Sequence, residues 1–353
     1  MAGGTGGHVY PALAVADYLR ERGVPLFWLG TRRGLEYRVV PERGISLFTI
    51  TIGGLRGKGP ARWLLAPWRL AVALVQAVRI LRRCRPGAVL GMGGFASGPG
   101  GVAAWLLRIP LYIHEQNAVA GLTNRLLAHL AVRIMQAFPG TFAHPRAVTT
   151  GNPVRRDILA VPPPAARPAR AADEAVHLLV LGGSLGARVL NETVPAALAQ
   201  LPPAVAITVR HQSGRDHIDA ARAAYRAAGL DDSGVAAYIE DMAGAYAGAD
   251  LVLCRAGALT VSEICAVGVA SILVPYPFAV DDHQTANARR LVEAGAAVLL
   301  PQTQLSAATL AALLAELAGD RQRLSAMAEK AREFGRPDAT EKVAQPCLEA
   351  VHA

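Results

Sequence analysis

Gly3-Gly-Thr-Gly-Gly-His8, followed by Pro11 and the helical run Ala12–Leu19, decides how the rest of the chain is read. Its glycines let backbone come close to a ligand, and the helix start behind them offers unpaired N–H groups at the positive end of a dipole. The same grammar returns at Gly182-Gly-Ser-Leu-Gly186, again between an apolar run and a helical one. One such turn in each half of 353 residues predicts an α/β fold used twice, with βα units around parallel sheets.

Working outward, short aliphatic runs alternate with longer amphipathic stretches. The strand candidates are Leu26–Leu29, Leu47–Ile52, Ala88–Met92, Leu111–His114, Leu178–Leu181, Ala206–Val209, Leu251–Cys254 and Ser271–Pro275. Helices are expected at Tyr10–Arg22, Trp63–Arg83, Val189–Leu201 and Thr260–Val267. Val161-Pro-Pro-Pro-Ala-Ala-Arg-Pro-Ala-Arg170 concentrates proline, which favours extended backbone and predicts a semi-rigid linker over residues 156–172. It divides an N-terminal domain, 1–155, from a C-terminal one, 173–334. The helical pattern after Gly335-Arg-Pro337 has no strand left to serve, so residues 335–353 are expected to pack back on the first domain.

A chain that is 52% hydrophobic and 18% charged can bury a large core, and this argues against disorder. Cys84, Cys254, Cys265 and Cys347 are too scattered for a disulfide framework or a structural zinc site. The start at Met1-Ala-Gly-Gly lacks the basic-then-apolar order of an export signal. A net charge of +9 asks for an anionic partner. Nucleic acid is disfavoured, since aromatics are 5% and no nucleic-acid-binding signature is present.

The chemistry-bearing residues fall at the carboxyl ends of the expected strands, where open α/β sheets place their ligands. His8 on the first glycine loop is a candidate general base, the alternative being a surface or satisfied core histidine. Gly91-Met-Gly-Gly-Phe-Ala-Ser-Gly98 and His114-Glu-Gln-Asn117 end two further strands, although Glu115 or Asn117 alone reads equally as a cap for the helix beginning near Gly121. In the second half, Ser184 and nearby amides suit a diphosphate held without metal, and the chain contains no Asp-x-Asp triplet. Neither glycine loop spells the dinucleotide fingerprint Gly-x-Gly-x-x-Gly. Thr260-Val-Ser-Glu263 has capping-box spacing, and Glu263 is read either as that cap or as an acceptor for two ribose hydroxyls. Asp281-Asp-His-Gln-Thr-Ala-Asn287 is read as a polar helix start or a sugar clamp.

Between Leu55 and Arg83, Trp63, Leu64 and Trp68 are mixed with Arg56, Lys58, Arg62, Arg69, Arg79, Arg82 and Arg83. The apolar runs are too short to span a bilayer, and the mixture suits a helix lying on an anionic membrane surface. The plainer reading is a helix packed on the sheet with a solvated basic face.

Six motifs in one order, namely Gly3–His8 with Pro11-Ala-Leu-Ala14, Gly91-Met-Gly-Gly94, His114–Asn117, Gly151-Asn-Pro-Val-Arg155, Gly182-Gly-Ser184 and Gly257-Ala-Leu-Thr-Val-Ser-Glu263, give a resemblance over nearly the whole chain. It resembles the bacterial peptidoglycan-synthesis transferases of glycosyltransferase family 28, which move N-acetylglucosamine from UDP-GlcNAc onto lipid I at the cytoplasmic face of the inner membrane. The resemblance implies a GT-B fold of two Rossmann-like domains facing a cleft, no cofactor or metal, and association with an anionic membrane surface and a cell-wall synthesis complex. It implies a donor site of Thr5, Gly6, Gly7, Asn117, Arg155, Ser184, Ile239, Ala258, Leu259, Thr260, Val261, Ser262, Glu263 and Gln284. In it Ile239 sits beside uracil, Glu263 holds ribose, Ser184 the phosphates, and Asn117 and Gln284 the sugar. His8 is the implied base, with Glu115 in reserve.

Two departures stand out. The family's pair of glutamines is here His283-Gln284, with Asp281-Asp282 before it, and the apolar strand expected ahead of the first glycine loop is absent. In a doubly wound sheet that strand is central, so the sequence as given is expected to fold poorly and the natural protein to start upstream. Competing activities on the same fold are UDP-GlcNAc 2-epimerisation, which needs no lipid surface, and diacylglycerol glycosylation. A sensor that binds UDP-GlcNAc without turnover is a third class.

Overall fold

The computed structural model describes residues 1–53, 66–168, 170–171, 174–183 and 185–352. Every strand pairing among them is parallel, and they divide into two units, Met1–Arg155 with Pro337–Ala353, and Arg156–Arg336.

In the first unit β1 (Phe27–Gly30) pairs with β2 (Ser46–Thr49), while β3 (Val89–Gly91), β4 (Leu111–Glu115), β5 (Arg133–Gln136) and β6 (Ala147–Thr149) form a separate sheet in that order. Met1 and Ala2 connect the two pieces. The Met1 ammonium donates to the Leu90 carbonyl at 2.7 Å, the Met92 N–H donates to the Met1 carbonyl at 2.8 Å, and Trp28 Nε1–H donates to the Ala2 carbonyl at 2.9 Å. The glycine loop therefore leaves from the place where the order of strands reverses, as the switch-point rule for ligand sites requires.

The second unit has one sheet, ordered β12-β11-β10-β7-β8-β9. Its strands are β7 (Val176–Leu181), β8 (Ile207–Gln212), β9 (Val235–Ala236), β10 (Leu251–Cys254), β11 (Ala270–Leu273) and β12 (Ala297–Leu299). Strands β7 and β10 lie side by side with Leu251 opposite Leu178 and Cys254 opposite Leu181. Both are covered on two faces, which explains their unbroken aliphatic runs. The order reverses between them, so the loops after Leu181 and Cys254 emerge together.

The helix Ala339–His352 lies against the helix Gly6–Arg20, and Val343, Ala344 and Cys347 join Val9, Leu13 and Ala16 in one core cluster. The proline-rich stretch read as a linker belongs to the second unit: it forms the helix Arg156–Leu159 and a turn at Pro164–Ala166, and the Arg167 guanidinium donates to the carbonyls of Val267 and Gly268. Proline there fixes a docked segment. All four cysteines are free, and burial pushes the thiols of Cys265 and Cys347 up to about 12. No helix among the described residues is long and apolar enough to cross a membrane.

Candidate active site

In the first unit, Thr5 precedes the helix Gly6–Arg20 without a side-chain cap, and Gly6, Gly7 and His8 form its first turn. The loop after β3 is pressed against it. Gly93 and Gly94 have φ of +91° and +83°, and a Cβ on Gly93 would lie 2.7 Å from His8 Nε2, while one on Gly94 would lie 2.8 Å from the Gly3 nitrogen. Glycine is required at both positions, by conformation and by contact. Thus the two glycine clusters seen in the sequence meet around His8.

The end of β4 is tied to the same place. Gln116 Nε2 donates to the Met92 carbonyl at 3.0 Å and lies 3.1 Å from His114 Nδ1, and His114 Nε2 lies 2.9 Å from the Gly151 carbonyl. With an amide N–H facing Nδ1 and a carbonyl facing Nε2, His114 is the neutral tautomer protonated on Nε2. Burial lowers its pKa to about 4, against smaller raising effects of the Gly151 carbonyl and Glu115. Asn152 Nδ2 donates to the Gln116 carbonyl at 3.0 Å, which fastens the Gly151–Arg155 motif to this strand end. Arg155 is half-buried beyond it.

Glu115, the reserve base of the sequence reading, is only 3% exposed. Its Oε1 accepts from the backbone and side-chain nitrogens of Asn117, and its Oε2 accepts from the Gly121 N–H and Asn124 Nδ2, at 2.9–3.1 Å. That carboxylate organises the Asn117–Asn124 turn, including the N-cap Gly121 of the helix Leu122–Leu127. Such full occupancy leaves it poorly placed to take a substrate proton. The Asn117 amide is turned toward Glu115 by the same contact.

In the second unit the loop after β7 carries Gly182 and Gly183; Ser184, the expected phosphate ligand, lies outside the described residues. The helix after β10 is Ala258–Val267, capped at Gly257 with no side-chain bond. Glu263 therefore lies six positions into the helix and its Oε2 accepts from the Tyr246 hydroxyl at 3.1 Å, so the capping-box reading is replaced by a buried tyrosine contact. Ala258 and Val261 are buried in the core, and any ligand contact they make is through backbone, whereas Leu259, Thr260 and Ser262 are half-buried. Gln284 Oε1 accepts from the Tyr276 N–H at 2.9 Å, holding the turn ahead of the helix His283–Glu293.

One residue the sequence reading missed joins this site. Gln212, at the end of β8, donates through Nε2 to the Gly183 carbonyl at 3.1 Å and accepts through Oε1 from the Ile239 N–H at 3.0 Å. A single amide thus spaces the glycine loop from Ile239. The signal was present in Gln212-Ser-Gly214, a strand ending in glycine like the others. Among the described residues, no three His, Cys, Asp or Glu side chains gather as a metal site.

Trp63 and Leu64 lie outside the described residues, but Trp68 is 70% exposed on the helix Ala66–Cys84. That helix packs on Ser97–Leu106, which packs on Leu122–Leu127, and these carry exposed Trp105, Leu106, Leu122 and Leu126.

Residues 1–136 match the Glycosyltransferase family 28 N-terminal domain and residues 177–343 the Glycosyltransferase family 28 C-terminal domain. The chain is 60% identical, over 99% of its length and 97% of the relative's, to a UDP-N-acetylglucosamine--N-acetylmuramyl-(pentapeptide) pyrophosphoryl-undecaprenol N-acetylglucosamine transferase of Alkalilimnicola ehrlichii. A protein of the same name from Nitrosococcus oceani is 57% identical over 99% of this chain and 97% of its own. The crystal structure of Acinetobacter baumannii MurG is similar with a TM-score of 0.82 at 42% identity, covering 99% of this chain and 98% of that one.

Proposed function

The chain belongs to glycosyltransferase family 28 and has the GT-B fold, and from that membership we infer that it transfers N-acetylglucosamine from UDP-GlcNAc to lipid I, forming lipid II and UDP in peptidoglycan synthesis. The observation that carries this reading is near-full-length identity above one half to transferases of that name. The C4 hydroxyl of N-acetylmuramic acid attacks the anomeric carbon of the donor with inversion as the bond to UDP breaks. His8 takes the hydroxyl proton, and the geometry favours it over Glu115, whose oxygens are occupied by their own turn.

Donor recognition falls to the second unit. Glu263 holds the ribose, Ile239 lies beside uracil, Gln284 meets the sugar, and the glycine loop with Ser184 receives the diphosphate, whose growing charge Arg155 and helix-start N–H groups offset. The switch point between β7 and β10 supports this placement. Thr5, Gly6, Gly7 and Asn117 complete the set from the first unit.

The enzyme works at the cytoplasmic face of the inner membrane as a peripheral protein, within a cell-wall synthesis complex. Exposed Trp68 and Trp105 beside Arg69, Arg79, Arg82 and Arg83 support contact with anionic lipid. The deciding assay supplies labelled UDP-GlcNAc with lipid I and scores the lipid-linked disaccharide. A new sugar isomer formed from donor alone would instead indicate epimerisation, and donor binding without release of UDP would indicate a sensor.

A further inference from the structure

We propose that Glu36 is a positioning residue for the transfer, its carboxylate fixing the Gly3–His8 loop so that His8 meets the acceptor hydroxyl; this rests on the reading of His8 as the base. Glu36 opens the helix Glu36–Glu42 and is completely buried. Its Oε2 accepts from the Gly4 N–H at 2.9 Å, and its Oε1 accepts from the Thr31 N–H at 2.9 Å and the Thr31 hydroxyl at 2.8 Å. A residue serving only to fill space between β1 and the loop would be apolar, because a buried carboxylate is costly unless donors surround it. Here the donors come from two segments far apart in sequence, so the carboxylate is a tie between them.

Room for that tie is made by missing side chains. A Cβ on Gly30 would lie 2.6 Å from Glu36 Cγ, one on Gly3 would lie 3.0 Å from its Cδ, and one on Gly34 would overlap the carboxylate. Gly4 is gripped from both sides, since its carbonyl also accepts from the Leu35 N–H at 3.2 Å. Its φ is +95°, and one residue later Thr5 begins the turn that carries His8. Fixing the Gly4 peptide therefore fixes the origin of the His8 side chain, while Gly93 limits where the ring goes.

Glu36→Gln keeps the volume but presents an acceptor at only one of the two oxygen positions; its NH2 must face either the Gly4 or the Thr31 N–H. The test compares wild type, Glu36→Gln, His8→Ala and the double variant by thermal melt, UDP affinity, and kcat and KM with lipid I. Misplacing a reacting group is expensive, so Glu36→Gln should lower kcat about tenfold or more with UDP affinity unchanged. In the His8→Ala background the same change should cost less than about threefold, because the two residues act through one another. Equal losses in both backgrounds, or unchanged kcat in a folded Glu36→Gln, would overturn the proposal. Near-normal turnover of His8→Ala would overturn the reading of His8 as the base, and that single variant reports it. Should Glu36→Gln not fold, Thr31→Val removes one donor of the same tie: it should lower kcat about threefold in wild type and not in His8→Ala, and no change in either would overturn the proposal.

Discussion

At the scale of residues, the site is a set of polar groups whose partners decide their availability. His8 lies half-buried in the first turn of its helix, while Glu115, equally prominent in the sequence, is bonded through both oxygens to its own turn. His8→Ala should therefore reduce turnover by about 10²–10⁴ with little change in UDP affinity, measured by steady-state kinetics and calorimetry. Glu115→Gln should act mainly on stability. With Glu263 in its proposed ribose role, Glu263→Ala should weaken UDP binding at least tenfold, since a charge-assisted hydrogen bond is worth roughly 1.5–3 kcal/mol. Tyr246 is fully buried with its hydroxyl on Glu263, so Tyr246→Phe should weaken UDP binding in the same direction by a smaller factor. Unchanged UDP affinity in Glu263→Ala would remove the ribose role. What sequence could offer here was residue type at strand ends, which raises Glu263 and Gln284 as candidates; Gln212 stands at such an end too, ahead of Ser213-Gly214, whereas Glu36, inside an ordinary run, carries no local sign of the distant N–H groups it accepts from.

At the scale of elements, strands with unbroken aliphatic runs were legible to within a few residues, as at β7 and β10, because burial on both faces demands such runs. β5 reads Arg-Ile-Met-Gln, β6 and β12 are three residues long and β9 is two; such pieces acquire strand geometry from their neighbours and have no pattern of their own. The helix Ala66–Cys84 is two-sided, with the period of a helix. Ala66, Ala73, Ala77 and Leu81 face the core, whereas Trp68, Val75, Arg79 and Arg82 recur on the exposed side. A surface of this kind binds lipid by apolar insertion and by charge together. Replacing Trp68 and Trp105 with serine should reduce cosedimentation with phosphatidylglycerol vesicles while sparing UDP binding, and raised salt should remove most of the remainder. Wild-type protein that ignores such vesicles would leave the face as ordinary solvated surface.

At the scale of the whole molecule, each unit contains, among the described residues, one completely buried histidine, His114 in the first and His211 in the second. His211 Nδ1 lies 3.0 Å from the Tyr225 hydroxyl and its Nε2 lies 3.0 Å from Asn191 Oδ1, whose amide nitrogen donates to the Ser213 carbonyl. The ring is neutral, donating through Nε2 and accepting at Nδ1, and desolvation lowers its pKa to about 4, as it does for His114. Above the unfolded value of 6.5 both states are neutral and these groups add no pH dependence. As pH falls from 6.5 toward 4, the unfolded chain binds protons that the folded chain refuses, so stability falls with pH across that window and the loss is complete below it. At pH 5 the loss is about 2 kcal/mol for each histidine. For units of this size that corresponds to melting temperatures lowered by about 4–8 °C relative to pH 7.5. Carboxylates titrate mostly below this range, and the buried Met1 amino group, lowered to about 6 by desolvation, contributes in the same direction between about pH 8 and 6, so the stretch from about pH 6 to 5 belongs to histidine. His211→Gln keeps a polar group that cannot titrate, and it should flatten the part of the slope that belongs to the second unit while leaving that of the first. A melting temperature that holds steady from pH 7.5 to 5 in the wild type would mean that neither ring stays neutral in the folded protein, and the buried networks around Gln116 and Asn191 would then have to accommodate a charge that their donors do not favour.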